Sequence, residues 1–122
     1  VLARAPWHLA GARVLAAVEQ GRVEGYVAGH TLPTIHYVVM KSRGRNVAAA
    51  AITDLLQLVE VIPVEKADFQ QALVLPIEDF EDALQAAAGL KAGVDHVVTR
   101  NERDFANSPV PPTRPEELLA LL

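Results

Sequence analysis

The chain has 122 residues, of which 51% are hydrophobic, so it is long and apolar enough to form one domain with a core, and disorder is excluded. Lysine and arginine number 11 against 15 aspartates and glutamates, and the net charge of −4 excludes a protein that coats nucleic acid by bulk positive charge. Because there is no cysteine, disulfides, zinc–thiolate sites and cysteine nucleophiles are excluded, and we expect a cytoplasmic protein. The amphipathic start, which carries Arg13 and Glu19, excludes a membrane span there.

Hydrophobic periodicity predicts helices that alternate with short strands. The predicted helices cover roughly Trp7 to Gln20, Thr31 (as the cap) to Gly44, Asn46 to Leu58, Lys66 to Leu73, Ile77 to Leu90, and the end of the chain after a capping box Thr113-x-x-Glu116. The predicted strands cover residues 23–29, 59–64 and 95–99, with a short edge strand at Val110. This order predicts a single α/β domain over residues 1–122, a three-layer sandwich in which helices flank a mostly parallel sheet. The chain opens with a helix, whereas an α/β domain usually opens with a strand.

One candidate site is the loop that follows the last long strand, in HVVTRNERDF at residues 96–105. It offers the hydroxyl of Thr99, the amide of Asn101 and the carboxylate of Asp104 within six residues. Loops that leave the carboxyl ends of parallel strands are where ligands bind. Each residue alone also has a structural explanation, because Asn, Asp and Thr commonly close turns through the nearby backbone. Their combination is what indicates a site.

A second candidate is the acidic start of the fifth helix, in PIEDFEDALQAAAG at residues 76–89. Acidic residues at a helix start complement the helix dipole and cap free N–H groups, and this is the structural explanation for Glu78 and Glu81. Asp79 and Asp82 are three residues apart and share a face. Asp82 also borders a run of alanines that can pack closely against a sheet. A carboxylate there needs a donor or a cation, for example a hard divalent ion.

The basic residues and histidines give weaker signals. Lys41, Arg43 and Arg45 form one short cluster, which is either a solvated helix end or a contact for a phosphate backbone. The four histidines are His8, His30, His36 and His96. No two of them have the i, i+4 spacing of a helical zinc site, and His30 stands out only because it ends a predicted strand.

Taken together, three segments resemble a PIN domain, and most closely the branch of VapC-type toxins of bacteria and archaea. They are YVAGHTLPTIHYV at 26–38, IEDFEDALQAAAGLKAGVDHVVTRNERDF at 77–105 and SPVPPTRPEELL at 108–119. The resemblance implies an endoribonuclease that depends on Mg²⁺ or Mn²⁺ and binds the ion with acidic residues at the carboxyl ends of a parallel sheet. It also implies a small antitoxin protein as a partner, beside the RNA substrate.

The resemblance assigns roles by position. Asp82 and Asp104 match the catalytic, metal-binding acids of the family. The supporting candidates are Thr99, Asn101, Thr34 and Asp79. Thr34 stands where many relatives have a glutamate. The candidate contacts to RNA are Lys41, Arg43, Arg45 and Arg100.

The sequence departs from the family pattern at its start. The family's first acidic residue ends an N-terminal strand, and neither this strand nor this Asp is present. Three explanations stay open: the natural protein is longer, the chain is an inactive remnant, or the sheet closes without the strand. Because an unpaired inner strand is a liability for a monomer, we expect a homodimer. The alternatives to a ribonuclease are a catalytically inactive PIN-like domain that binds protein or RNA, and a structural α/β domain whose acids only cap helices.

Overall fold

Helices and short strands alternate along the chain in a computed structural model that describes residues 9–122. The helices are α1 Leu9–Glu19, α2 Thr31–Arg43, α3 Arg45–Leu58, α4 Lys66–Val74, α5 Phe80–Ala92 and α6 Pro115–Leu121. The strands are β1 Tyr26–Ala28, β2 Glu60–Ile62, β3 Val97–Val98 and β4 Pro112–Thr113, and a 3-10 turn spans Glu102–Phe105. The predicted order is confirmed, and the fold is α/β. Trp7 and His8, from the start of the first predicted helix, lie outside the described residues.

Two glycines end helices close to the predicted ends. Gly44, with φ of 91°, separates α2 from α3. Gly93 adopts the left-handed conformation, and its N–H donates to the carbonyls of Gly89 and Leu90 at the end of α5. A residue with a Cβ is strained in either conformation, so the glycine itself determines where each helix ends.

Two predicted caps are wrong. Thr31 is the first helical residue of α2 and not its cap, because its hydroxyl accepts a hydrogen bond from the Gln85 side chain at 3.3 Å. The predicted box of Thr113 with Glu116 does not form, because Thr113 belongs to β4 and its hydroxyl lies 2.7 Å from the His96 ring. The side chain of Glu117 instead accepts from the backbone N–H at the start of α6.

The last strand and the fifth helix also begin later than predicted. The edge strand lies at Pro112–Thr113, and Val110 is a buried core residue ahead of it. Helix α5 begins at Phe80 and not at Ile77, because the Asp79 carboxylate accepts from the Asp82 N–H and thereby sets the start of the helix.

The strands pair in parallel, as predicted, but as two separate two-stranded sheets. In one sheet Val27 lies opposite Val61. In the other, Val97 lies opposite Pro112. Among the described residues β1 and β3 are not paired with each other.

The inner strands of the two sheets direct backbone groups toward one another. In the first sheet, Gly25 O and Gly29 N–H bond to β2, so the alternate residues Tyr26 and Ala28 direct their backbone groups away from β2. In the second, the N–H groups of Val97 and Thr99 donate to carbonyls on the β4 side, so the backbone groups of the residue between them face the opposite way.

A cavity of about 740 Å³ lies between β1 and β3. Strands β1 and β3 contribute Val27 and Val97 to its wall. Its helical walls are mostly apolar and include Val14, Val18, Ile35, Leu55, Gly89 and Leu118. Gln85 also lines it, one turn after Asp82 on α5.

Helix α5 packs against both sheets. Its residues Ala86 and Ala87 belong to the core cluster that contains Val97 of β3, and Ala88 belongs to the cluster that contains Ala28 of β1. The alanine-rich face next to Asp82 is therefore buried, as the sequence predicts. None of the helices in residues 9–122 combines the length and the apolar character that crossing a membrane requires.

Candidate active site

Asp82 lies in the first turn of α5, three residues after the N-cap Asp79. The carboxylate of Asp79 accepts the Asp82 N–H at 2.9 Å. The same turn contacts the carboxyl end of β1, since the His30 ring lies 3.1 Å from the Glu81 carbonyl. The turn that carries Asp82 is thus held beside the carboxyl end of β1.

The electrostatic surroundings of Asp82 oppose its ionisation. Burial, followed by the negative charges of Asp79, Asp104 and Glu81, raises the pKa of Asp82 from 3.8 to about 6. Because the charge of Asp104 contributes to this shift, Asp82 and Asp104, which are 22 positions apart in the chain (104 − 82), lie near enough to repel each other.

Asp104 reaches this edge through the 3-10 turn after β3. Its backbone N–H donates to the Asn101 carbonyl at 3.0 Å, and the next residue, Phe105, is buried in the core. The Asp104 side chain is exposed. A buried aromatic ring therefore anchors a turn whose carboxylate faces solvent beside Asp82.

The supporting residues take different places. The Thr99 hydroxyl accepts the Asn101 N–H at 3.0 Å, so it shapes the loop, as its structural explanation anticipates. Asn101 is exposed on that loop. Asp79 serves as the cap of α5 and adds negative charge at Asp82. Thr34 is half-buried on α2, one turn after the hydroxyl of Thr31 that binds α5.

Asp82 takes part in no ion pair of the described part of the chain. The ion pairs there join Lys91 to Glu65 and Asp68, and Glu116 to Arg100 and Arg114. Within residues 9–122, no group of three or more His, Cys, Asp or Glu side chains is arranged to hold a metal ion. Two carboxylates with a repulsive interaction nevertheless suit Mg²⁺, which proteins often bind through one or two carboxylates while water and substrate phosphates complete its shell.

The basic cluster lies away from this edge. Helix α2 has 13 residues, so its two ends are separated by about 18 Å. Lys41 and Arg43 are in its last turn, whereas Thr31 binds α5 at its first turn. The Lys41 ammonium lies 5.5 Å from the centre of the Tyr37 ring. The fourth candidate, Arg100, pairs with Glu116 at 3.2 Å on the surface.

Two residues at the site carry little or no signal in the sequence. The sequence shows that His30 ends a strand. It does not show the contact between His30 and Glu81, which are 51 residues apart along the chain. Gln85 binds the Thr31 hydroxyl and lines the cavity. Its position three residues after Asp82, on the same helix face, is the only local hint.

The chain is similar to a known protein family. A family model described as PIN domain matches residues 1–103, a range that contains Asp82, Thr99 and Asn101 and ends one residue before Asp104. No curated protein matches the chain.

Proposed function

Because the chain belongs to the PIN domain family, a nuclease family, we propose that it is a metal-dependent endoribonuclease of the VapC-like toxin type. The observation that carries the proposal is that Asp82 and Asp104 lie near enough to repel each other. Burial and three neighbouring acids, Asp104 among them, raise the pKa of this carboxyl to about 6. A cation bound between Asp82 and Asp104 would relieve that repulsion, as metal ions do in acidic sites.

Asp82 and Asp104 would hold Mg²⁺ or Mn²⁺, and the chemistry that such an ion supplies is polarisation of a phosphate and activation of water. The chain's own residues prepare the site. Asp79 fixes the first turn of α5 through the Asp82 N–H, and Thr99 fixes the loop that leads to Asp104. Asn101 is exposed on this loop, and Thr34 lies near the start of α2; we propose both as polar supports for water or RNA.

The proposed partners follow from the same function. RNA would extend from the carboxylates toward Lys41, Arg43 and Arg45, which lie at the far end of α2, or toward Arg100. A small antitoxin and a second copy of the chain are further proposed partners. The absence of cysteine supports a cytoplasmic location.

A catalytically inactive PIN-like domain that binds RNA or protein is the second candidate function. The observation that favours it is that no group of three metal ligands forms among residues 9–122. The two candidates predict different behaviour toward metal ions, so a binding measurement separates them.

The test is a Mn²⁺ titration by calorimetry of the wild-type chain, Asp104→Asn and Asp82→Asn. We expect saturable binding that is at least about 10-fold weaker in each variant, because each loses a charged oxygen ligand. The matched control is Asp95→Asn, an exposed carboxylate just before the amino end of β3 and so at the opposite edge. Equal affinity of all four proteins, or no binding by any, would contradict a metal site built on these acids. Cleavage of a fluorescent RNA by the wild type and not by Asp104→Asn would then establish the nuclease.

A further inference from the structure

His30 joins the carboxyl end of β1 to the first turn of α5. Its Nε2 lies 3.1 Å from the carbonyl oxygen of Glu81. A carbonyl only accepts hydrogen bonds, so Nε2 carries the proton and donates it. In the neutral ring, the other nitrogen, Nδ1, is then an acceptor.

This second nitrogen is buried and has no hydrogen-bond partner among the described residues. A buried acceptor without a partner destabilises the fold, because it has given up its hydrogen bond to water. An apolar side chain of similar size would avoid that loss. The stability of the fold alone therefore does not explain a histidine at this position.

The bond from His30 acts on the turn that carries Asp82. Glu81 is the residue next to Asp82, and it also repels the Asp82 carboxylate, as do Asp79 and Asp104. Asp79 holds the turn from within the helix through the Asp82 N–H. His30 holds it from outside, from the neighbouring strand end.

We propose that His30 is a positioning residue of the carboxylate site, which holds the first turn of α5 in place against the repulsion between its acids. This inference rests on the proposed function, since positioning matters only if Asp82 binds a cation. The ring acts through Nε2. The buried Nδ1, which has no hydrogen-bond partner among the described residues, lowers the stability of the fold.

The neighbouring residue supplies a matched control. The Thr31 hydroxyl, which is buried, accepts from the Gln85 side chain at 3.3 Å and also joins α2 to α5, one turn further from Asp82. Thr31→Val removes that bond and keeps the shape. If both contacts were merely structural, the two substitutions would have similar effects.

The experiment compares the wild type with His30→Leu, His30→Gln and Thr31→Val. Amide hydrogen exchange of residues 82–85, urea denaturation and Mn²⁺ affinity are measured for each. In His30→Leu we expect exchange in this turn to be about 10-fold faster and Mn²⁺ binding about 10-fold weaker, with a denaturation midpoint equal to or higher than that of the wild type. His30→Gln restores exchange and affinity, because its amide N–H reaches about as far as Nε2–H. Thr31→Val lowers the midpoint and leaves Mn²⁺ affinity within about twofold.

Two outcomes would overturn the proposal. One is an exchange rate of residues 82–85 that His30→Leu does not change. The other applies if the wild type binds Mn²⁺: residues 82–85 of His30→Leu exchange faster, but the variant binds Mn²⁺ as tightly as the wild type. If the wild type binds no Mn²⁺, the proposed function fails, and with it the role of His30 in positioning a metal ligand, whereas the exchange data still show whether His30 holds the turn.

Discussion

Asp68 and Asp82 occupy the same place in their helices, three residues after the N-cap of α4 and of α5, yet their pKa values move in opposite directions. The hydrogen bond from Lys91, followed by that from the Glu65 N–H, lowers the pKa of Asp68. Burial and three neighbouring acids raise the pKa of Asp82 to about 6.

The difference between the two carboxylates is the presence of a cation from the chain itself. The Lys91 ammonium lies 2.6 Å from an Asp68 oxygen and 2.6 Å from the Pro63 carbonyl, so it joins α5 to the start of α4. Asp82 has acids around it and takes part in no ion pair of residues 9–122. The charge of Asp68 is neutralised by a lysine of the chain, whereas Asp82 is suited to a cation from solution.

The largest expected effect comes from making Asp68 resemble Asp82. Lys91→Met leaves the Asp68 carboxylate, which is 5% exposed, without its cation. Breaking a buried pair costs about 3–5 kcal/mol, and because the Lys91 side chain is 38% exposed we expect a loss of about 2 kcal/mol at pH 7. Urea denaturation measures it. The lowered pKa of Asp68 stabilises the wild type above about pH 4 and ceases to do so as the pH falls further, so the two proteins converge in acid.

Lys66→Met is the control for this variant, since Lys66 is an exposed lysine on α4. It should change the free energy of unfolding by less than about 0.5 kcal/mol. If the two lysine variants lose the same stability at pH 7, the contrast between the carboxylates has a different origin from the cation.

A smaller effect of opposite sign is expected for Asp82→Asn. The folded-state pKa of Asp82, about 6, lies above the ordinary value of 3.8, so the fold favours the protonated form. Ionisation therefore destabilises the wild type progressively between about pH 4 and 6, and fully above pH 6. The shift corresponds to about 3 kcal/mol, which solvent screening of this partly exposed group reduces to about 1 kcal/mol. We expect Asp82→Asn to be more stable by that amount at pH 8 and equal at pH 3.5 in urea denaturation.

Added Mn²⁺ sharpens this prediction. An ion that binds only the folded protein stabilises it by mass action, so Mn²⁺ should raise the wild-type midpoint at pH 8 and leave Asp82→Asn unchanged. A stability difference between the two proteins that does not vary with pH would show that charge repulsion at Asp82 is not its source.

Local signals explain why much of the fold is predictable. Gly44 and Gly93 end their helices through backbone conformations that glycine favours, and the alanines after Asp82 mark a closely packed face. The sequence predicts Asp82 and Asp104 near one edge of the fold, and the charge of Asp104 does raise the pKa of Asp82, whereas their catalytic role stays a prediction.

Features that depend on distant partners are not predictable in this way. Lys91 and Asp68 are 23 residues apart, and neither residue differs in the sequence from an ordinary exposed charge. The division of the strands into two sheets depends on which strands pair, and no local pattern determines that. The capping box failed for the same reason, since Thr113 finds a distant partner in His96.

The smallest expected effect concerns Asp79, which acts on Asp82 in two opposing ways. Its carboxylate caps the Asp82 N–H, and its charge raises the pKa of Asp82. Asp79→Ser keeps an oxygen that can cap and removes the charge, so at pH 7 we expect a change of only a few tenths of a kcal/mol. Asp79→Ala loses both and should cost about 1 kcal/mol relative to Asp79→Ser. In both variants the pKa of Asp82, followed by NMR titration of its carboxyl carbon, should fall toward 3.8. An unchanged pKa would mean that the charge of Asp79 does not contribute, and that burial together with Asp104 and Glu81 opposes the ionisation of Asp82.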